Sequence, residues 1–327
     1  MSRSTWASDL RARMALPVIA SPMFLVSTPE LVIAQCTSGI VGSFPALNAR
    51  PASELDAWLE RITTALSAWD AAHPDQPAAP YAVNLIAHRT NPRLQEDLAT
   101  CVRWKVPIVI TSLGVMPELN EAVQAYGGVT LHDVISDRFA RKAIDRGANG
   151  LIAVAAGAGG HAGRQSPFAL IQEIRSWFDG PLALSGAIAH GRSILAAEAM
   201  GADFAYVGSA FIATHEAAAI DAYKQMVLEA TAEDIVYSDL FSGVHANYLT
   251  ASIVRAGLDP ANLPPRAQGA FDSSAPKAWK DVWGCGQGVG LLKTSPPARE
   301  RIQQLVVEYR QAQADFASRA GGRERLA

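Results

Sequence analysis

Cysteine is the first scarcity in this chain. Only three occur, Cys36, Cys101 and Cys285, and they lie far apart. An odd, dispersed set fits no disulfide framework and no zinc-ligand spacing, which excludes a stapled secreted scaffold and a cysteine-held metal. Charge of one sign is also lacking: 28 basic residues face 31 acidic ones, for a net charge of -3. That balance leaves no electrostatic footprint for nucleic acid or for an anionic membrane. No apolar run approaches the roughly 18 residues of a membrane span. The opening residues, Met1 to Arg13, mix charged and polar groups and lack the apolar centre of a secretory signal. There is no HxxxH pair, no GxSxG elbow and no P-loop. Those gaps argue against a metal site, the common hydrolases and the nucleotide triphosphatases. A reduced, soluble, cytoplasmic protein without a metal is the expectation.

What is present is a globular composition, 327 residues with 49% hydrophobic and 18% charged. The length suits one large α/β barrel of roughly 250 residues plus an addition. Short apolar runs alternate with helical stretches. The runs are Leu16–Ala20, Ile40–Ser43, Tyr81–Leu85, Pro107–Thr111, Val129–Asp133, Gly150–Ala155, Leu182–Ser185 and Asp203–Gly208. Continuous apolar strands belong to a parallel sheet covered on both faces. Regular βα alternation argues for a closed barrel or a doubly wound sheet, and a count of eight favours the (β/α)8 TIM barrel.

After Glu216 the rhythm breaks. Helices are expected at Ala217–Ala230, Ala246–Ala256 and Pro297–Phe316, with a Pro/Gly-rich passage at Leu258–Ala275 and a charged tail from Arg319. The chain is thus read as a barrel core over 1–215, a mainly helical region near the barrel mouth over 216–300, and a C-terminal helix and tail over 301–327.

In such a barrel the chemistry sits at the C-terminal ends of the strands. Those ends are small, polar or glycine-rich here: Ser21-Pro22-Met23-Phe24, Asn84 followed by His88 and Thr90, Thr111-Ser112, His132-Asp133, Ser185-Gly186-Ala187 and Gly208-Ser209. The last two, in register after strands seven and eight, suit a phosphate bound by free backbone N–H groups at helix starts. Gly157 to Gly163 matches a loose GxGxxG/A with Ala162 last, but no acidic residue ends the next strand, so a dinucleotide fingerprint is weak. It reads as a flexible, close-approach loop carrying His161. That histidine is the best candidate for acid/base work, because imidazole titrates near neutrality. His132 beside Asp133 reads as a structural pair. Cys285, in Gly284-Cys285-Gly286-Gln287-Gly288, reads as a packed thiol, and Gln287 as a group able to bond a ligand edge. Trp58 and Trp69 read as packing.

In combination, three segments resemble the nitronate monooxygenases, formerly called 2-nitropropane dioxygenases: GAGGHAG at 157–163, PLALSGAIAHGRSILAAEAMGADFAYVGSAFIAT at 181–214, and GCGQGVGL at 284–291. The resemblance runs from about Pro17 to Val307 and implies an FMN-dependent TIM barrel. It implies that Pro22, Met23 and Phe24 lie against the flavin ring and that Asn84 and Thr90 touch it. Gly159, with Gly160 beside it, matches a backbone contact. Ser185, Gly186, Ala187, Gly208 and Ser209 match the phosphate clamp, and His161 the active-site histidine. Ala187 stands where a second glycine is common and Ser209 where threonine is usual, yet each retains a backbone N–H. Asp133 stands where some members have a lysine, and a carboxylate there would repel negative charge on the flavin.

The activity so implied is oxidation of alkyl nitronates, and of nitroalkanes with His161 as base, by dioxygen to carbonyl compounds and nitrite. The alternative is an FMN-dependent NAD(P)H reductase of quinones or enoyl thioesters, since fold alone does not separate the two. A third reading is a barrel that binds another phosphorylated ligand without flavin. The partners are a small nitro compound and dioxygen, with neither nucleic acid nor membrane, and a homodimer is left open.

Overall fold

The computed structural model describes residues 5–265 and 276–323. Eight parallel strands form a TIM barrel. They are β1 (Val18–Ala20), β2 (Gly42–Pro45), β3 (Tyr81–Ile86), β4 (Ile108–Ser112), β5 (Val129–Val134), β6 (Gly150–Val154), β8 (Leu182–Ser185) and β9 (Phe204–Val207), with a short β7 (Gly160–His161) outside the barrel. The hydrogen-bonded order runs β1-β9-β8-β6-β5-β4-β3-β2. The remaining seam, between β1 and β2, is bridged where Ala20 N–H donates to Val41 O at 2.8 Å and Val41 N–H to Val18 O at 3.1 Å. One ladder illustrates the register: Ala82, Val83 and Asn84 of β3 stand beside Ile108, Val109 and Ile110 of β4.

The helices between the strands are α2 (Pro29–Thr37), α3 (Glu54–Ala72), α4 (Leu94–Arg103), α5 (Pro117–Gln124), α6 (Asp137–Asp145), α7 (Pro167–Arg175) and α8 (Gly191–Ala199). Local chemistry sets their ends. Thr28 Oγ1 accepts from Leu31 N–H at 3.1 Å, with Pro29 in the first turn, where its missing N–H costs nothing. Gly39, at φ +83°, then turns the chain out of α2, a conformation that costs a side-chain-bearing residue energy.

Every other residue of each strand points inward. Ile19, Ile110, Leu131, Ile152 and Phe204 fill the barrel, where burial of each large apolar side chain is worth about 1.5–3 kcal/mol. Their neighbours face the helix layer. An N-terminal helix, α1 (Thr5–Arg11), adds Ala7 and Leu10 to the inner cluster and sets Trp6 edge-on to Phe204, the first residue of β9. It therefore plugs the end of the barrel opposite the strand C-termini. The sequence pattern did not reveal this helix, because it has only seven residues, of which two are buried.

Two other departures follow beyond β9. The helix expected at Ala217–Ala230 is confined to α10 (Asp221–Glu229), preceded by α9 (Ser209–Ile212). The single helix expected over Ala246–Ala256 is in fact a strand, β11 (Ala246–Leu249), followed by α11 (Thr250–Arg255). β11 pairs antiparallel with β10 (Ile235–Ser238) on one side and with β7 on the other. An apolar run this short fits either state, and the pairing partners chose the strand. The last helix, α12 (Ala298–Arg323), packs against α8 and α2, and Glu308 accepts the Gly191 N–H at the start of α8 at 2.9 Å. Part of the expected Leu258–Ala275 passage, residues 266–275, and the last four residues lie outside the described ones.

Candidate active site

A cavity of about 1180 Å³ opens at the C-terminal ends of the barrel strands. It exceeds the range of roughly 300–1,000 Å³ common for small-molecule sites, so a ligand and a second reactant fit together. Four groups of side chains and loops shape it.

The turn after β1 brings Ser21, Pro22, Met23 and Phe24 to the wall. Asn48 holds this turn: its Nδ2 donates to Met23 O at 3.0 Å and Ser27 O at 2.9 Å, while its Oδ1 accepts from Leu25 N–H at 2.9 Å. Leu25 sits at φ +62°, a conformation those bonds help to maintain. Sequence reading missed Asn48, because nothing local marks it as the partner of a turn some twenty residues away.

The ends of β3, β4 and β5 form a polar relay. Asn84 Nδ2 donates to Ser112 Oγ at 2.8 Å, and Ser112 donates to Asp133 Oδ2 at 2.6 Å. Asp133 Oδ1 is buried with no partner among the described residues. Burial pushes the Asp133 carboxyl up to about 7, against the opposing Ser112 bond. The expected pairing of His132 with Asp133 does not occur. Successive strand residues point to opposite faces, and His132 Nδ1 instead shares a 2.6 Å hydrogen bond with Thr111. Burial lowers His132 to about 4 and keeps it neutral.

Gly157 to Gly163 is not the loose loop expected. Asn247 Nδ2 donates to Ala158 O at 2.6 Å, Tyr237 Oη to Ala162 O at 2.8 Å, and β7 pairs with β11. Gly157 at φ +84° and Gly160 at φ +70° allow the turns between these ties. Gly159, Gly160 and His161 all line the cavity. His161 Nε2 lies 3.1 Å from Ser242 Oγ, and its ring meets Trp279 edge-on at 5.5 Å. Burial lowers its pKa, so the neutral imidazole is favoured.

The ends of β8 and β9 also reach the cavity through Ser185, Gly186, Ala187, Gly208 and Ser209. Here one expectation is corrected: the Ala187 N–H is already bound to Gly157 O at 3.1 Å, so it is not a free donor. Ala187 adopts φ +54°, which explains why glycine suits the position. At Gly208 an added Cβ would lie 3.2 Å from Ser21 Cβ and 3.8 Å from Met23 Sδ, inside the space between β1 and β9. Ser209 Oγ accepts from Gly286 N–H at 2.8 Å. The N–H groups of Ser209 and Ala210 open α9 and have no acceptor within it.

Two expected residues stand apart. Thr90 is exposed outside the cavity wall, with its hydroxyl 2.8 Å from His88 Nδ1. Gln287 is exposed and does not line the cavity, and its N–H donates to Gly157 O at 2.9 Å. Cys285 is packed as expected, and burial raises its thiol to about 11. Lys142 and Arg164 bring positive charge to the rim. Among the described residues, no group of acids, histidines and cysteines could hold a metal, and no helix is long and apolar enough to cross a membrane.

A family profile described as nitronate monooxygenase matches residues 9–308, nearly the whole chain. The chain belongs to that family. It is 27% identical over 357 aligned positions to a nitronate monooxygenase of Paraburkholderia phytofirmans, covering 90% of this chain and 93% of the relative. Two solved structures share its fold. One, described as a nitroalkane oxidase from Streptomyces ansochromogenes, has a TM-score of 0.76 at 23% identity, over 94% of this chain and 99% of the other. The second, FabK from Thermotoga maritima, has a TM-score of 0.75 at 21% identity, over 97% and 99%. The protein is thus an oxidoreductase of a flavoprotein family.

Proposed function

We propose that the cavity binds FMN and that the protein oxidises alkyl nitronates, and nitroalkanes after proton removal, to carbonyl compounds and nitrite. The observation that carries this reading is convergence. The β1 turn, the glycine-rich ends of β8 and β9, and His161 all face one cavity, although they are spread over nearly two hundred residues. The residues fit the group: the space beside Gly208 lacks a Cβ, and free N–H groups open α9 next to it. Ser185, Gly186, Gly208 and Ser209 would hold the phosphate, and Pro22, Met23 and Phe24 the ring. Asn84 would offer a polar contact at the ring's edge. Once bound, FMN supplies an acceptor for the nitronate's electron and a site of reaction with dioxygen.

The remaining tasks fall to the chain itself. A neutral His161 accepts the α-proton of a nitroalkane, a role a nitronate does not require. Lys142 and Arg164 draw the anionic nitronate to the rim. Asp133, half neutral near pH 7, repels that anion less than an ordinary carboxylate would. Apolar walls, including Ile86, Leu113 and Ile212, exclude water from the reacting groups.

The test is anaerobic mixing of the FMN-loaded protein with a small alkyl nitronate. Bleaching of the visible flavin band, then nitrite on admission of air, is the expected result. A flavin band that ignores the nitronate and bleaches with NADH or NADPH would replace this reading with the reductase. Failure to take up FMN would refute both.

A further inference from the structure

The two ring nitrogens of His161 have different surroundings, and one hydroxyl distinguishes them. Nε2 lies 3.1 Å from Ser242 Oγ. A serine hydroxyl has one proton to donate and two lone pairs to accept with. The Ser242 proton is committed to the Val244 carbonyl oxygen at 2.8 Å, a group that can only accept. Tyr248 Oη at 3.3 Å and the Val244 N–H at 3.4 Å approach the same Ser242 oxygen as further donors, both longer than the bond to Val244 O. With its proton on Val244 O, its shortest contact, Ser242 faces His161 as an acceptor, and Nε2 carries the hydrogen. A neutral imidazole has a single such hydrogen, so Nδ1 holds the lone pair. Neighbouring polar groups do not compete for the ring: His245 Nε2 is 3.1 Å from Arg164, and Tyr237 Oη is bound to Ala162 O.

We propose that Ser242 is a positioning residue that fixes His161 as the Nε2–H tautomer, leaving Nδ1 as the basic nitrogen of the site. This rests on the reading of His161 as the base toward nitroalkanes. In that step the substrate's α C–H bond breaks and its electron pair becomes the C=N bond of the nitronate. The negative charge settles on the nitro oxygens, and the proton forms a bond with Nδ1. The imidazolium so formed keeps its Nε2–H on Ser242, whose oxygen accepts more strongly from a charged donor. The pairing of β7 with β11 fixes the histidine backbone, and Trp279 bounds the ring, so the tautomer also fixes the direction of the lone pair. Ser242 does not stand out in the sequence, because it meets His161 across some eighty residues, from the loop that leads into β11.

The test reads the tautomer directly, by long-range proton–nitrogen NMR of protein labelled with 15N-histidine, alongside turnover of a nitroalkane and of its preformed nitronate. The expected wild-type spectrum shows hydrogen on Nε2 and none on Nδ1 of His161. Ser242→Ala removes the acceptor, so both tautomers appear. Its nitroalkane turnover falls by about tenfold to a hundredfold, the usual scale for losing a group that orients a functional histidine, and its nitronate turnover falls much less. Ser242→Thr keeps the hydroxyl and restores both the spectrum and the nitroalkane rate. Hydrogen on Nδ1 in the wild type, or a Ser242→Ala spectrum unchanged from it, would overturn the assignment. An Nε2–H spectrum combined with equal loss on both substrates in His161→Asn would overturn the base reading alone.

Discussion

Replacing Asp133 with asparagine should make the protein's stability less dependent on pH, by an amount the structure sets. The carboxyl accepts one hydrogen bond, from Ser112 at 2.6 Å, and leaves Oδ1 buried without a partner among the described residues. Burial therefore raises it from 3.8 to about 7. The sign follows from proton counting. Below the unfolded value both states hold the proton and the group is neutral toward folding. Between the two values the unfolded chain ionises first, so stability falls as pH rises. Above the folded value the full penalty is present, on the order of 4 kcal/mol at 1.36 kcal/mol per pKa unit. Between about pH 5 and about pH 8.5 the change amounts to about 2.5 kcal/mol. Asparagine can keep its oxygen toward Ser112 and cannot ionise. Urea unfolding of the cofactor-free wild type and of Asp133→Asn across that range isolates the term, because all other titrating groups cancel in the difference. The variant should gain on the wild type as pH rises from 5 and level off above about pH 8. A gap that stays constant from pH 5 to 8.5 would refute the argument, since the carboxyl would then hold one charge state throughout.

Three further outcomes are expected. His161→Asn should slow nitroalkane turnover by roughly 10²–10⁴-fold, the usual share of a general base, and slow nitronate turnover far less, as read by nitrite release. Ala187→Gly should raise stability by about 1 kcal/mol in urea unfolding, because Ala187 adopts φ +54° and its own N–H bond to Gly157 O needs no side chain. Asn247→Ala should cost about 1–3 kcal/mol, since it leaves the Ala158 carbonyl without its 2.6 Å donor, and should lower FMN retention on gel filtration by freeing the 157–163 loop.

Local patterning was enough for the barrel and the order of its parts. Hydrophobic periodicity and capping act over a few residues, so runs such as Tyr81–Leu85 and Leu182–Ser185 declared themselves as strands. The family segments then carried His161 and the β8 and β9 ends with them. Boundaries shifted where neighbours mattered more than the run itself: the second strand, expected at Ile40–Ser43, lies at Gly42–Pro45, where it pairs with Tyr81 to Asn84. Long-range packing set the rest. It turned Ala246–Leu249 into a strand because Gly160–His161 and Ile235–Ser238 were there to accept its hydrogen bonds. It separated His132 from Asp133, left Thr90 outside the cavity, and bound the Ala187 N–H to Gly157. It also set the charge of Asp133 and the hydrogen on His161, since a proton's position depends on which groups stand within about 3 Å, and those groups come from distant parts of the chain.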